Sequence, residues 1–249
     1  MFASSLTTGT NHRTGTAYPG LMAREPRATT MAARGPAADP LATLAATATT
    51  VSMDKEQTIY AEGSPAEFCF RIVCGCVRMV KLMEDGRRQV VEFLLPGDLL
   101  GLDTLGTYDL SAEAVSPVVL HRYRRGAVER LADSDPAIAR RLRVLSAAGL
   151  RAAWERMMLL GRKTAVERIA SFLLEMTDRV PGGGRDLVVL PMGRLDIADH
   201  LGLTMETVCR VLSSLRQEGT IGMDRSVNGA QVTIRDPAGL QALACASRH

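Results

Sequence analysis

Residues 194–213 read RLDIADHLGLTMETVCRVLS, and this stretch decides the architecture of the C-terminal part. Apolar residues fall at Ile197, Leu201, Leu203, Val208 and Val211 in a helix-turn-helix spacing, with small residues at Ala198 and Gly202. That layout predicts two helices crossing steeply through a short turn. Ala198 allows close approach, and Gly202 supplies the left-handed backbone that ends the first helix. Thr204 is placed to cap the second helix, with Glu206 in its first turn, where the helix dipole favours an anion. The reading is a helix-turn-helix over 194–213; an ordinary helical hairpin is the plainer alternative.

Opposite Val208 and Val211 the second helix presents Met205, Glu206, Cys209, Arg210 and Ser213. Those side chains would enter a major groove. Arg210 has the fork to meet guanine O6 and N7, and Glu206 can accept from a cytosine amine. The two are four residues apart, so a surface ion pair is the competing reading, and the same pair would hold Arg210 in position for base contact. Thr204, Thr207 and Arg225 complete the expected DNA-contacting set. Cys209 stands either as a passive small polar residue or as a thiol that, in the early turns of a helix, is acidified and open to oxidation. Beyond the helix, two short apolar runs (221–223 and 230–234) flank Asn228-Gly229, a strong hairpin signal. The unit therefore reads as a winged helix-turn-helix, its wing (Arg225, Ser226, Asn228) near phosphate.

Upstream, residues 164–178 form another helix. Thr164 and Glu167 make a capping box, and Val166, Ile169, Ala170 and Leu173 are expected on its buried face. Pro181-Gly-Gly-Gly184 breaks the chain after it. Residues 135 to about 160 read as one long helix, capped by Asp135 or Ser134 with Pro136 in the first turn. Leu150, Ala153, Met157 and Leu160 follow a 3–4–3 spacing along it. This is the seam of a helix paired with a second copy, or else one buried face of a core helix.

Residues 51 to about 125 differ in character. Gly63, Gly75, Gly86 and Gly97 recur every 11 or 12 residues. Short apolar or β-branched runs lie between them, at 70–73, 77–82, 89–95 and 118–123. Glu84-Asp85-Gly86-Arg87 is a hairpin turn. Strands at this spacing predict an antiparallel sandwich or jelly roll. Residues 1–50 are rich in Ala, Thr, Gly and Pro and too poor in large apolar residues to form a core. They read as a disordered leader, or as sequence preceding a true start at Met22 or Met31.

The fold class is thus α+β: leader 1–50, jelly roll 51–130, dimerisation helix region 131–162 and winged helix-turn-helix 163–249. Composition agrees with it. The 249 residues carry a net charge of +3, which permits an anionic partner without demanding one. No apolar run is long enough to span a bilayer, and no secretory signal opens the chain. Five cysteines give no paired framework, so a reducing cytoplasm is the expected location.

On PGDLLGL (96–102), MMLLGRKTAVERIASFLLEM (157–176) and LPMGRLDIADHLGLTMETVCRVLSSLRQEGTI (190–221), the chain resembles the Crp/Fnr superfamily of bacterial transcription regulators, and is similar to its FixK-like branch. The resemblance spans about 52–235. It implies a jelly-roll sensor, a dimer helix and a winged DNA reader. It also implies a homodimer on an inverted repeat, often activating through RNA polymerase, in the oxygen-limited and nitrogen-metabolism regulons typical of FixK-like proteins. The branch reads a TTGAT-type half-site with a Glu-x-x-Ser-Arg signature. Here Glu206 and Arg210 match, and Cys209 stands where the family has Ser.

An effector is harder to read. The family's nucleotide-binding members place an Arg-Ser or Arg-Thr pair after the Gly-rich turn, but no Arg or Lys occurs from Gln89 to His121. A buried phosphate without a cation is strongly disfavoured, so no cyclic nucleotide is expected. Cys69, Cys74 and Cys76 are placed on strands, the latter two sharing one face, as small buried residues rather than iron–sulfur ligands. His121 is a weak haem candidate, and His200, in the first helix of the reader, is placed as a phosphate neighbour. No cofactor, metal or membrane is expected. With four scattered His, no metal-binding triad for an enzyme is visible. A ligand- or redox-sensing jelly roll with a different output is the competing function.

Overall fold

In the N-terminal half, each short apolar run becomes a strand whose alternate residues point inward. The computed structural model describes residues 48–102, 104, 106–179, 186–226 and 229–245, with the backbone alone at 225, 226 and 229. The expected leader and the Pro181–Gly184 break lie outside these residues, apart from residues 48–50. Strands β1 (Thr49–Met53), β3 (Phe68–Cys74), β6 (Leu99–Leu100) and β8 (Val118–Arg124) form one antiparallel sheet in the order β1-β8-β3-β6. Strands β2 (Thr58–Tyr60), β4 (Val77–Leu82), β5 (Arg88–Leu94) and β7 (Ser111–Ala114) form a second, in the order β2-β7-β4-β5. Phe70, Ile72, Val77, Met79, Leu94, Leu100 and Leu120 fill the space between them. The expected hairpin closes at Gly86, whose φ of 81° suits the turn, with Gly86 N–H donating to Met83 O.

Helix α1 (Arg125–Ser134) follows β8 directly, so the expected boundary near residue 130 falls inside a helix. Helix α2 (Pro136–Arg162) is the long helix, begun by the Asp135 carboxylate accepting from Ala137 N–H with Pro136 in the first turn. Helix α3 (Ala165–Arg179) opens with the Thr164/Glu167 capping box, both hydrogen bonds being formed. Its buried face is Ile169, Ala170, Phe172, Leu173 and Met176. Val166 does not join it, being 37% exposed, because it sits in the first turn ahead of the packed stripe.

The C-terminal unit contains β9 (Leu187–Leu190), α4 (Arg194–Leu201), α5 (Met205–Gln217), β10 (Ile221–Ser226), β11 (Gly229–Ile234) and α6 (Pro237–Cys245). The wing is a three-stranded sheet in the order β10-β11-β9. Neither β9 nor α6 is announced by a periodic signal in the sequence. The outer face of the second jelly-roll sheet continues into this unit: Val80, Val90 and Phe93 belong to the same apolar cluster as Ile169, Phe172, Ile197, Leu201 and Val208. Among the described residues no helix is long and apolar enough to cross a membrane.

Candidate nucleic-acid interface

The α4–α5 crossing is built as the spacing requires. Ile197, Ala198, Leu201, Val208 and Val211 are buried at the crossing, while Leu203 is partly buried. Gly202 has φ +61° and its N–H closes on Ala198 O, so it ends α4 in the left-handed conformation. Thr204 caps α5, its hydroxyl accepting from Thr207 N–H at 3.2 Å.

This leaves one face of α5 open. Met205, Glu206, Cys209, Arg210 and Ser213 are exposed, with Thr207 half-buried beside them. The Glu206 carboxyl is held below the usual carboxylate range by its own backbone N–H and by the Thr204 hydroxyl, so it stays an acceptor. The expected Glu206–Arg210 ion pair does not form. Arg210 Nη2 lies 3.5 Å from the Thr207 hydroxyl instead, because Glu206 is turned toward the cap. Arg225 lies in β10 paired with Ala230, and its side chain, like Asn228, is outside the described atoms.

Along α2, Leu150, Ala153 and Met157 are exposed, with Met157 63% exposed. Trp154 and Met158, which the 3–4–3 reading omits, are exposed beside them. Leu160 is only half-buried and turns toward Gly202 at the base of the reader. A cleft of about 1650 Å³ runs along this face, between α2, the jelly roll and α3.

His200 is not a phosphate neighbour. It is 2% exposed, with its ring 4.9 Å from Phe93 and 5.7 Å from Phe172. Its Nδ1 lies 3.1 Å from Val90 O, and Nε2 is left to accept from Arg156. Burial and the Arg156 guanidinium press its pKa from 6.5 down to about 3. The unfolded chain therefore takes up a proton below about pH 6.5 that the fold refuses, and stability falls with pH through that window by about 1.4 kcal/mol per unit. In denaturant unfolding, the stability advantage of the wild type over His200→Gln should narrow by about 2 kcal/mol between about pH 7.5 and about pH 5. An unchanged gap would mean that the ring is charged inside the fold.

The cysteine reading holds in part. Cys69 and Cys76 are buried, and burial raises both thiols, Cys69 to about 11. Cys76, however, lies in the connection after Gly75 rather than on a strand, and Cys74 is half-buried, so the two share no strand face. Among the described residues no group of three His, Cys, Asp or Glu is placed to hold a metal.

A jelly-roll domain packed against a winged helix-turn-helix is the build of a DNA-binding regulator. Two family models match: the cyclic nucleotide-binding domain over residues 50–135 and the Crp-like helix-turn-helix domain over 167–243. The nitrogen fixation regulation protein FixK of Azorhizobium caulinodans is 44% identical over 218 residues, covering 85% of this chain and 87% of that protein. FixK of Bradyrhizobium diazoefficiens is 37% identical, covering 79% and 82% respectively. The solved structure of FixK2 from Bradyrhizobium japonicum superimposes with a TM-score of 0.75 at 43% identity, covering 81% of this chain and 99% of that one. The chain belongs to the FixK family of Crp-type transcription regulators.

Tyr60 and Tyr108 stack at 3.7 Å inside the roll beside Phe70. The buried Arg78 is taken up by carboxylates. Arg125 donates to Ala66 O, Gly101 O and the Thr104 hydroxyl, so neither guanidinium is free for a phosphate.

Proposed function

We propose that this chain is a homodimeric transcriptional activator that reads a TTGAT-type inverted repeat. Genes of nitrogen metabolism and oxygen limitation are its targets, and RNA polymerase is its partner at the promoter. The observation that carries this reading is the open face of α5, where Glu206 and Arg210 stand free of each other while Val208 and Val211 anchor the helix behind them. Thr204, Thr207, Cys209 and Ser213 flank those two side chains, Arg225 joins the contact set from wing strand β10, and Cys209 takes the place of the family's hydroxyl.

Two copies meet along α2. Leu150, Trp154, Met157 and Met158 offer a contiguous apolar strip, and solvent contact for so many large side chains is unfavourable in a lone chain. Two-fold pairing then sets half-sites roughly 10–10.5 bp apart, or a multiple of that spacing. Activity is set by synthesis and turnover rather than by a bound effector.

Footprinting on promoter DNA tests the reading, and a symmetric protected site is the expected result. Arg210→Ala should cost about 1–3 kcal/mol of binding to that site and relax the sequence requirement at one base step in each half. A uniform loss on every sequence would instead make Arg210 a phosphate contact. Absence of any symmetric footprint would overturn the function.

A further inference from the structure

The face of α4 turned away from α5 is spent on the jelly roll. Asp196, Asp199 and His200 lie three and four residues apart, on one side of the helix. Asp196 Oδ1 accepts from Arg78 Nη1 at 3.0 Å and from Arg88 Nη2 at 2.8 Å, while its other oxygen accepts from Gly193 N–H. Asp199 Oδ2 accepts from Arg88 Nε at 2.9 Å. His200 reaches Val90 O at 3.1 Å and meets Arg156 of α2, and Gln89 Nε2 donates to His200 O. Strands β4 and β5, the long helix and the reader thus converge on one turn of α4.

The adjoining face of the same helix, Ile197 and Leu201, packs into the cluster that holds Val208 and Val211 as well as Val90 and Phe93 of the sheet. Sheet, α4 and α5 form one continuously packed stack, and among the described residues no link in it covers the exposed face of α5. A flexibly tethered reader would lose orientational freedom on binding, and this stack removes that freedom beforehand.

We propose that Arg88, Asp196, Asp199 and His200 are positioning residues for DNA reading: they bolt α4 to the sheet and so fix the two recognition helices of a dimer at one separation. They touch no DNA. Their effect falls on the distance between half-sites and not on the bases read. The inference rests on the protein being a dimeric reader of symmetric DNA.

The test uses the full chain, with Arg88→Gln and Asp199→Asn as two independent ways to open the clamp and Arg88→Lys as the variant that keeps the charge. Affinity is measured on the symmetric duplex, on the same duplex with one or two base pairs inserted at its centre, and on a random duplex. Thermal unfolding is followed alongside. Arg88→Gln and Asp199→Asn should each bind the symmetric duplex about tenfold more weakly, within the usual range of coupling between sites. They should tolerate the insertions better than wild type and bind random DNA unchanged, and Arg88→Lys should recover part of the loss. Wild-type affinity and spacing discrimination in both variants would overturn the clamp. So would an equal loss on random DNA, which would mark a purely structural role. A wild type with no preference for symmetric DNA would overturn the dimeric reading itself, and the clamp with it.

Discussion

Met157→Asp is expected to yield a single chain in solution that no longer holds the symmetric site. Met157 is 63% exposed, between Trp154 at 57% and Met158 at 59%, so the folded chain loses little when it changes. In a two-fold pair the same patch meets itself, and one substitution puts two carboxylates into one apolar seam. Each must be desolvated without a cation or be protonated, and either outcome opposes pairing. Separate readers then lose the intramolecular second contact, an advantage of about 10²–10⁴-fold. Affinity for the inverted repeat should fall by about 100-fold or more, to that of a lone half-site. Sedimentation equilibrium decides the point: a mass of two chains for the variant would reject the α2 seam.

Arg78→Leu should be the most damaging change to the fold. The Arg78 side chain is 6% exposed and lies 2.6 Å from Glu56, 2.8 Å from Glu113 and 3.0 Å from Asp196. Removing it leaves Glu56 and Glu113 without their cation, while Asp196 keeps Arg88 at 2.8 Å. Glu56, more than half exposed, can turn to water, while Glu113 at 24% exposure cannot easily do so. Breaking such a buried pair from one side costs about 3–5 kcal/mol. Glu56 also adopts a left-handed φ of 66°, held by its N–H on Ala114 O and by this ion pair, and loses one of those supports. Denaturant midpoints measure the loss. Adding Glu113→Gln to the variant should recover part of it, because a neutral amide needs no counter-charge. A loss below about 1 kcal/mol would show the network to be a surface ornament.

The reader was the most legible part of the chain because its geometry is written locally. Ala198, Gly202 and Thr204 each impose a backbone requirement within a few residues, and the structure meets all three. The Thr164–Glu167 box, the Asp135 cap and the Gly86 turn are legible for the same reason. What escaped was long-range. His200 sits in a helix that reads as DNA-facing, and nothing near it in sequence shows that Val90 and Phe93 lie against it, some 110 residues upstream. The i,i+4 spacing of Glu206 and Arg210 permits an ion pair without excluding a closer cap for Glu206. A strict 3–4–3 stripe is narrower than the strip that α2 leaves open, and so omits Trp154 and Met158. Short α1, β9 and α6 carry too few residues for periodicity to register.

Phe172 and His200 complete an apolar interior that Val90 and Phe93 begin. The C-terminal segment is therefore no transplantable cassette. Cut free or grafted onto a relative's N-terminal half, it would carry a bare greasy flank and two carboxylates deprived of their arginines. Chimaeras within this lineage must inherit the matching sheet surface, which ties the evolution of the two halves together.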